Sequence, residues 1–202
     1  MRFRYQESHF LIYLRKPFNH CPMKIRNLLL LSVLFTNLSL NAQVFSTARV
    51  LKPLKFSLGI APAYYNTGIG MFLTGDVGIK RGLDFGLKYG ILEGEDYFGA
   101  DFEWGLLHGK PVDLSLITGC HLYGDVGLDA GINVSFRIKS DIYMYTGLDS
   151  DINFGDDLWV PFWLPVGIDI RLTKYMSFLF EAEIPLNPES YPVIDGGVLF
   201  NF

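Results

Sequence analysis

Long apolar runs are missing from most of this chain. Beyond the first 43 residues none approaches the roughly 18–20 residues that a membrane-crossing helix needs. Cysteine is nearly absent: Cys21 and Cys120 are the two present, which excludes a disulfide framework or a cysteine-based metal centre. No run of histidines and acids has metal-ligand spacing, and no nucleophile elbow or Gly-rich phosphate loop precedes a helix. The string Gly68-Ile-Gly70 sits between two alternating segments, where a hairpin turn explains it. These absences leave no cofactor and no metal to expect, and no enzyme motif.

What is present at the start is an export signal. Residues 24–43 carry Lys24 and Arg26, then an apolar centre from Leu28 to Phe35, then the small Ala42. That is the layout of a cleaved secretory signal peptide, and its apolar centre is too short to anchor in a bilayer. Met23 stands where such a signal begins. The expected organisation is therefore an upstream extension over 1–22 from a start site assigned too early, a signal over 23–43, and a mature domain over 44–202. Without residues 1–43, 11 basic and 20 acidic residues remain, a net charge of −9. An acidic mature chain argues against nucleic acid as a partner.

The mature region alternates. From Lys55 onward ten segments show a period of two: 55–65, 69–80, 83–92, 97–107, 112–123, 126–138, 141–151, 158–172, 175–184 and 193–202. In the sixth, Val126, Leu128, Ala130, Ile132, Val134, Phe136 and Ile138 oppose Gly127, Asp129, Gly131, Asn133, Ser135 and Arg137. Period-two alternation makes a strand with one apolar face. Most segments are about ten residues or slightly longer, which suits a tilted strand crossing a membrane. Pro161 and Pro165 interrupt the eighth, and Pro165 is expected to mark a bulge. Cys120 falls on the apolar face as a small hydrophobe.

Three features favour a membrane barrel over a soluble sandwich. Twelve of the 21 glycines lie on the non-apolar face, interleaved with acids, as a narrow polar interior requires. Connections on one side are tight and partly basic (Lys80-Arg-Gly82, Lys139-Ser-Asp141), while those on the other include longer acidic ones. Aromatic residues gather at segment ends: Tyr64, Tyr65, Tyr97, Phe98, Tyr123, Trp159 and Tyr191 on one side, Phe56, Phe136, Tyr175 and Phe202 on the other. Read together they form two interfacial girdles. The expected fold is all-β, a transmembrane up-and-down antiparallel β-barrel of about ten strands, with eight or twelve as alternatives.

The last segment, Val193 to Phe202, alternates and ends on an aromatic residue. With Gly197, Phe200 and Phe202 it resembles the insertion signal of Gram-negative outer-membrane β-barrels. Residues 44–202 as a whole resemble the small outer-membrane barrels of the OmpA/OmpW-like type. The resemblance implies the cell outer membrane as location, the lipid bilayer as surroundings, and the barrel-assembly machinery as a partner during insertion. It also implies a structural, adhesive or porin-like role, with any surface ligand unknown.

By phase, the inward charges include Lys88, Asp101, Glu103, Asp129, Arg137, Asp169, Arg171, Glu181 and Glu183, with Asp76, Asp84 and Asp113. Acids outnumber bases, and buried charges persist only when paired or hydrated. Two readings follow: a lumen largely filled by its own side chains, or a narrow cation-preferring channel. A third, an enzyme, rests on His121, expected between Asp101 and Asp129, where an imidazole could act as a general base. The plainer reading is a lumen histidine satisfied by acids, and no catalytic residue is assigned.

Overall fold

The computed structural model describes residues 45, 47–65, 68–109, 111–155 and 157–202. The expected extension and signal peptide lie outside these residues. Ten long strands and one short one follow in order: β1 (Phe56–Tyr65), β2 (Gly68–Lys80), β3 (Leu83–Ile91), β4 (Asp96–His108), β5 (Val112–Tyr123), β6 (Asp125–Lys139), β7 (Ile142–Phe154), β8 (Leu158–Trp159), β9 (Phe162–Arg171), β10 (Met176–Pro185) and β11 (Val193–Asn201).

Each long strand pairs antiparallel with its neighbours, and two contacts close the ring. β1 pairs β11 from Ser57↔Asn201 to Tyr65↔Val193, and β7 pairs both β6 and β9. Closure leaves no long strand with an unpaired edge, the condition for backbone in lipid. β8 is a two-residue extension that folds back on the end of β7, pairing Leu158 with Phe154.

The alternation seen in the sequence becomes an outside and an inside. In β1, Phe56, Leu58, Ile60 and Tyr64 are exposed outward, while Ser57, Gly59, Ala61, Ala63 and Tyr65 are buried inward. Most long strands repeat this pattern over most of their length, giving an outer face of Ile, Leu, Val and Phe. Phe56 and Phe202 stack on that face with ring centroids 4.9 Å apart, joining the first and last strands at one end. That end is called here the C-terminal end, and the other the far end.

Three register shifts occur, between Gly78 and Lys80, Gly105 and Leu107, and Arg137 and Lys139. All three lie beside the tight turns of the C-terminal end, where added twist brings neighbouring strands together. Pro165, expected to mark a bulge, does not. Rungs opposite it in β7 are missing, yet the register on either side is the same. Proline removes one N–H from the ladder without adding a residue. Pro62 acts in the same way against β11. The eighth segment is broken nonetheless: Val160 and Pro161 leave the strand, separating β8 from β9.

Candidate functional site

The lumen is the candidate site, and its two ends are filled differently. At the far end Tyr65, Phe72, Tyr97, Tyr123 and Val193 are buried with Ala61 and Ala63 in one apolar cluster. Phe72 and Tyr97 meet edge to face at 5.7 Å, and Tyr97 lies 6.5 Å from Tyr123. The loop over 186–192 is bound down beside them. Trp163 donates its indole N–H to the Tyr191 carbonyl at 2.8 Å, and Ser190 Oγ donates to the Phe162 carbonyl at 2.7 Å. The far-end girdle is therefore smaller than expected. Tyr64 and Phe98 face outward, but Tyr65, Tyr97, Tyr123 and Tyr191 are buried. Tyr65 follows Tyr64, and Tyr97 precedes Phe98, so strand phase sends the members of each pair to opposite faces. The girdle at the C-terminal end keeps its expected members: Phe56, Phe136, Tyr175 and Phe202 are all exposed.

The C-terminal half of the lumen is filled by a segment that is not a barrel strand. Thr47, Arg49, Val50, Leu51, Lys52 and Lys55 line its inner cavity together with the barrel wall, and Phe45 reaches the far-end cluster. Hydrogen bonds hold the segment along its length. Ala48 N–H donates to Ser135 Oγ at 2.9 Å, and Leu51 N–H donates to Asp84 Oδ2 at 2.8 Å. Leu54 and Lys55 exchange backbone bonds with Gly78. Arg49 is the anchor: its guanidinium pairs with Asp169 and lies 4.1 Å over the Tyr143 ring. A cavity of about 400 Å³ remains beside it, walled by Asp76, Asp84, Lys88, Asp101, Glu103 and Asp169.

The predicted lumen charges are spread along the barrel wall. Lys88 Nζ bridges Asp101 Oδ2 at 2.9 Å, and Glu103 faces the cavity on β4, opposite Asp84 of β3. Asp169 binds Arg49, and Arg171 lies half-buried on the same strand nearer the C-terminal end. Arg137 sits at the mouth, donating to the carbonyls of Lys139 and Ser140. Glu181 and Glu183 are fully buried on β10, next to Asp195 of β11. The residues expected to form the insertion signal close the wall. Phe200 and Phe202 face outward, and Gly197 packs so tightly on β1 that a Cβ there would overlap the Ile60 carbonyl and lie 2.8 Å from Ala61 Cα.

Just beneath the far-end cluster, β5, β6 and β7 bring four polar side chains together. His121 Nδ1 contacts Asp129 Oδ1, and His121 Nε2 is 2.8 Å from Asn153 Oδ1. Asp129 stands directly opposite Asp151 in the β6–β7 ladder. The Tyr97 ring covers the imidazole at 5.6 Å. Of the two acids expected to flank His121, Asp129 does so; Asp101 is committed to Lys88. Asp149, Asp151 and Asn153 were outside the charge set read from the sequence. Their signal was available: Leu148, Ile152 and Phe154 continue the outward phase past residue 151. Arg49 carried no local signal, because its partner lies 120 residues away.

No protein-family model matches the chain, and no curated protein matches it. Solved structures do. The chain is similar to the NanC porin at 8% identity, with a TM-score of 0.53 over 71% of this chain and 98% of that one. It is also similar to the KdgM porin (9% identity, TM-score 0.48, 72% and 99% covered) and to the N-terminal β-barrel domain of Pseudomonas aeruginosa OprF (10%, 0.41, 75% and 100%). At such identities the likeness is one of fold. A closed ten-stranded antiparallel barrel, apolar outside and polar within, is built for a bilayer. The chain has the fold of an outer-membrane β-barrel, similar to the small outer-membrane barrels as a class.

Proposed function

We propose that the protein is a structural outer-membrane barrel with a filled lumen and no catalytic activity, its surface ligand unassigned. The observation that carries this is the occupancy of the lumen from both ends: strand aromatics at the far end, residues 47–51 at the other. Ten strands enclose little more space than the eight-stranded barrels that side chains fill, far below the 16–18 strands of wide aqueous pores. Among the described residues no serine or cysteine nucleophile lies within hydrogen-bond reach of His121, which supports a structural histidine.

The test is planar-bilayer recording of the purified full chain. The expected result is no large, persistent conductance, and a rise in opening frequency when residues 45–52 are deleted. Large, stable, non-selective openings in the intact chain would overturn the proposal. A narrow cation-preferring passage is the second reading, favoured by the buried oxygens of Glu183 and Asp195 that have no hydrogen-bond partner. Small openings whose cation preference weakens in Glu181→Gln with Glu183→Gln would select it.

A further inference from the structure

The convergence of His121, Asp129 and Asp151 has an electrostatic problem that its neighbours solve only in part. Asp129 and Asp151 are cross-strand partners, and like charges placed directly opposite destabilise a sheet. Asn153 Oδ1 accepts from the Nε2–H of His121, which leaves Nδ1 facing the Asp129 carboxylate. A neutral imidazole so arranged would turn a lone pair toward an anion, so without a metal a proton must lie between Nδ1 and Asp129. Lys88 is bonded to Asp101 and acts on Asp129 only at longer range, while Arg49 pairs with Asp169. A further acid approaches from β10: Glu183 is 1% exposed, neither of its oxygens has a hydrogen-bond partner, and its charge acts on Asp149 and Asp151.

We propose that His121 Nδ1, Asp129 and Asp151 bind one divalent transition-metal cation inside the barrel. One ligand atom from each residue lies within 4.8 Å of the other two. Small side-chain movements would bring all three to the roughly 2.0–2.2 Å of zinc–nitrogen and zinc–carboxylate bonds. One imidazole with two carboxylates suits Zn²⁺ better than Ca²⁺, which takes six to eight oxygens. The ion replaces the proton between Nδ1 and Asp129, and that proton is released to solvent. Asn153 then has a defined part, holding Nε2–H so that Nδ1 points at the ion. A water would complete the fourth position. The ion would join β5, β6 and β7 through side chains as well as backbone, a role separate from whether the lumen conducts.

The experiment uses the untagged full chain folded in detergent micelles, stripped with EDTA and reloaded with Zn²⁺ or Co²⁺. The expected result is one ion per chain by elemental analysis, with Co²⁺ giving the visible absorption of a low-coordinate nitrogen–oxygen site. Asp151→Asn and His121→Ala should each weaken Zn²⁺ by about 100-fold or more, and Asn153→Ala by about 10–100-fold. Heat-dependent gel mobility reports whether each variant is folded. If His121→Ala does not fold, the isosteric Asp151→Asn carries the test. Failure of the folded chain to retain an ion, or equal affinity in the wild type and Asp151→Asn, overturns the proposal. Neither outcome bears on the conductance recordings, so the two readings fail separately.

Discussion

The two halves of the lumen reach similar closure by opposite means. The far half is filled by the wall itself: Tyr65, Phe72, Tyr97 and Tyr123 project from four strands and bury their rings against one another. The other half is filled by a borrowed segment, fixed by Arg49 on Asp169 and by the backbone N–H groups of Ala48 and Leu51 on Ser135 and Asp84. Apolar contact is non-directional and needs each ring to be covered. Polar attachment needs specific partners and leaves space between them, here the cavity of about 400 Å³. The far half should thus contribute stability, and the C-terminal half should determine passage.

Phe72→Ala tests the stronger side of that contrast. Phe72 is 2% exposed against Tyr97. Its removal should cost about 3–5 kcal/mol, the usual loss for a buried phenylalanine. Urea unfolding in lipid vesicles would measure it, and a loss below about 1 kcal/mol would break the comparison.

Gly197→Ala probes the seam where β11 closes on β1, which runs through both halves. The added methyl group meets β1 backbone, which cannot swing aside as a side chain can. Overpacking of this kind costs about 1–3 kcal/mol. The same titration should rank it below Phe72→Ala and well above Gly94→Ala placed where nothing lies within 4 Å of the new methyl group, once the latter is corrected for its positive φ.

Arg49→Ala should have the smallest effect on stability, about 1 kcal/mol, because the guanidinium is partly in water. Its effect on the segment should be larger than its effect on the barrel. Protease digestion from the C-terminal end should release residues 45–55 faster in the variant while strand fragments stay protected. Equal protection in both proteins would show that the backbone bonds suffice to hold the segment.

Most strand boundaries were legible in the sequence, since lipid demands an apolar residue at every outward position and the lumen does not. Where the expectation failed, the error was in using composition instead of phase. Tyr65, Tyr97 and Tyr123 share segment ends with the outward aromatics, but alternation places them inside. The break at Val160 and Pro161 was hidden for a different reason: those residues keep the apolar rhythm while proline withholds an N–H.

By itself the sequence determined a closed, two-faced barrel, because a period of two over ten segments has few other ways to bury one face and pair every edge. It also determined the inward sign, an excess of acids. Which acids meet a cation was decided only by the fold. Arg49 reaches Asp169, and His121 joins Asp129, Asn153 and Asp151, through strand register and a returning segment. Those contacts depend on the relative height of distant strands, and no local pattern in a chain records that height.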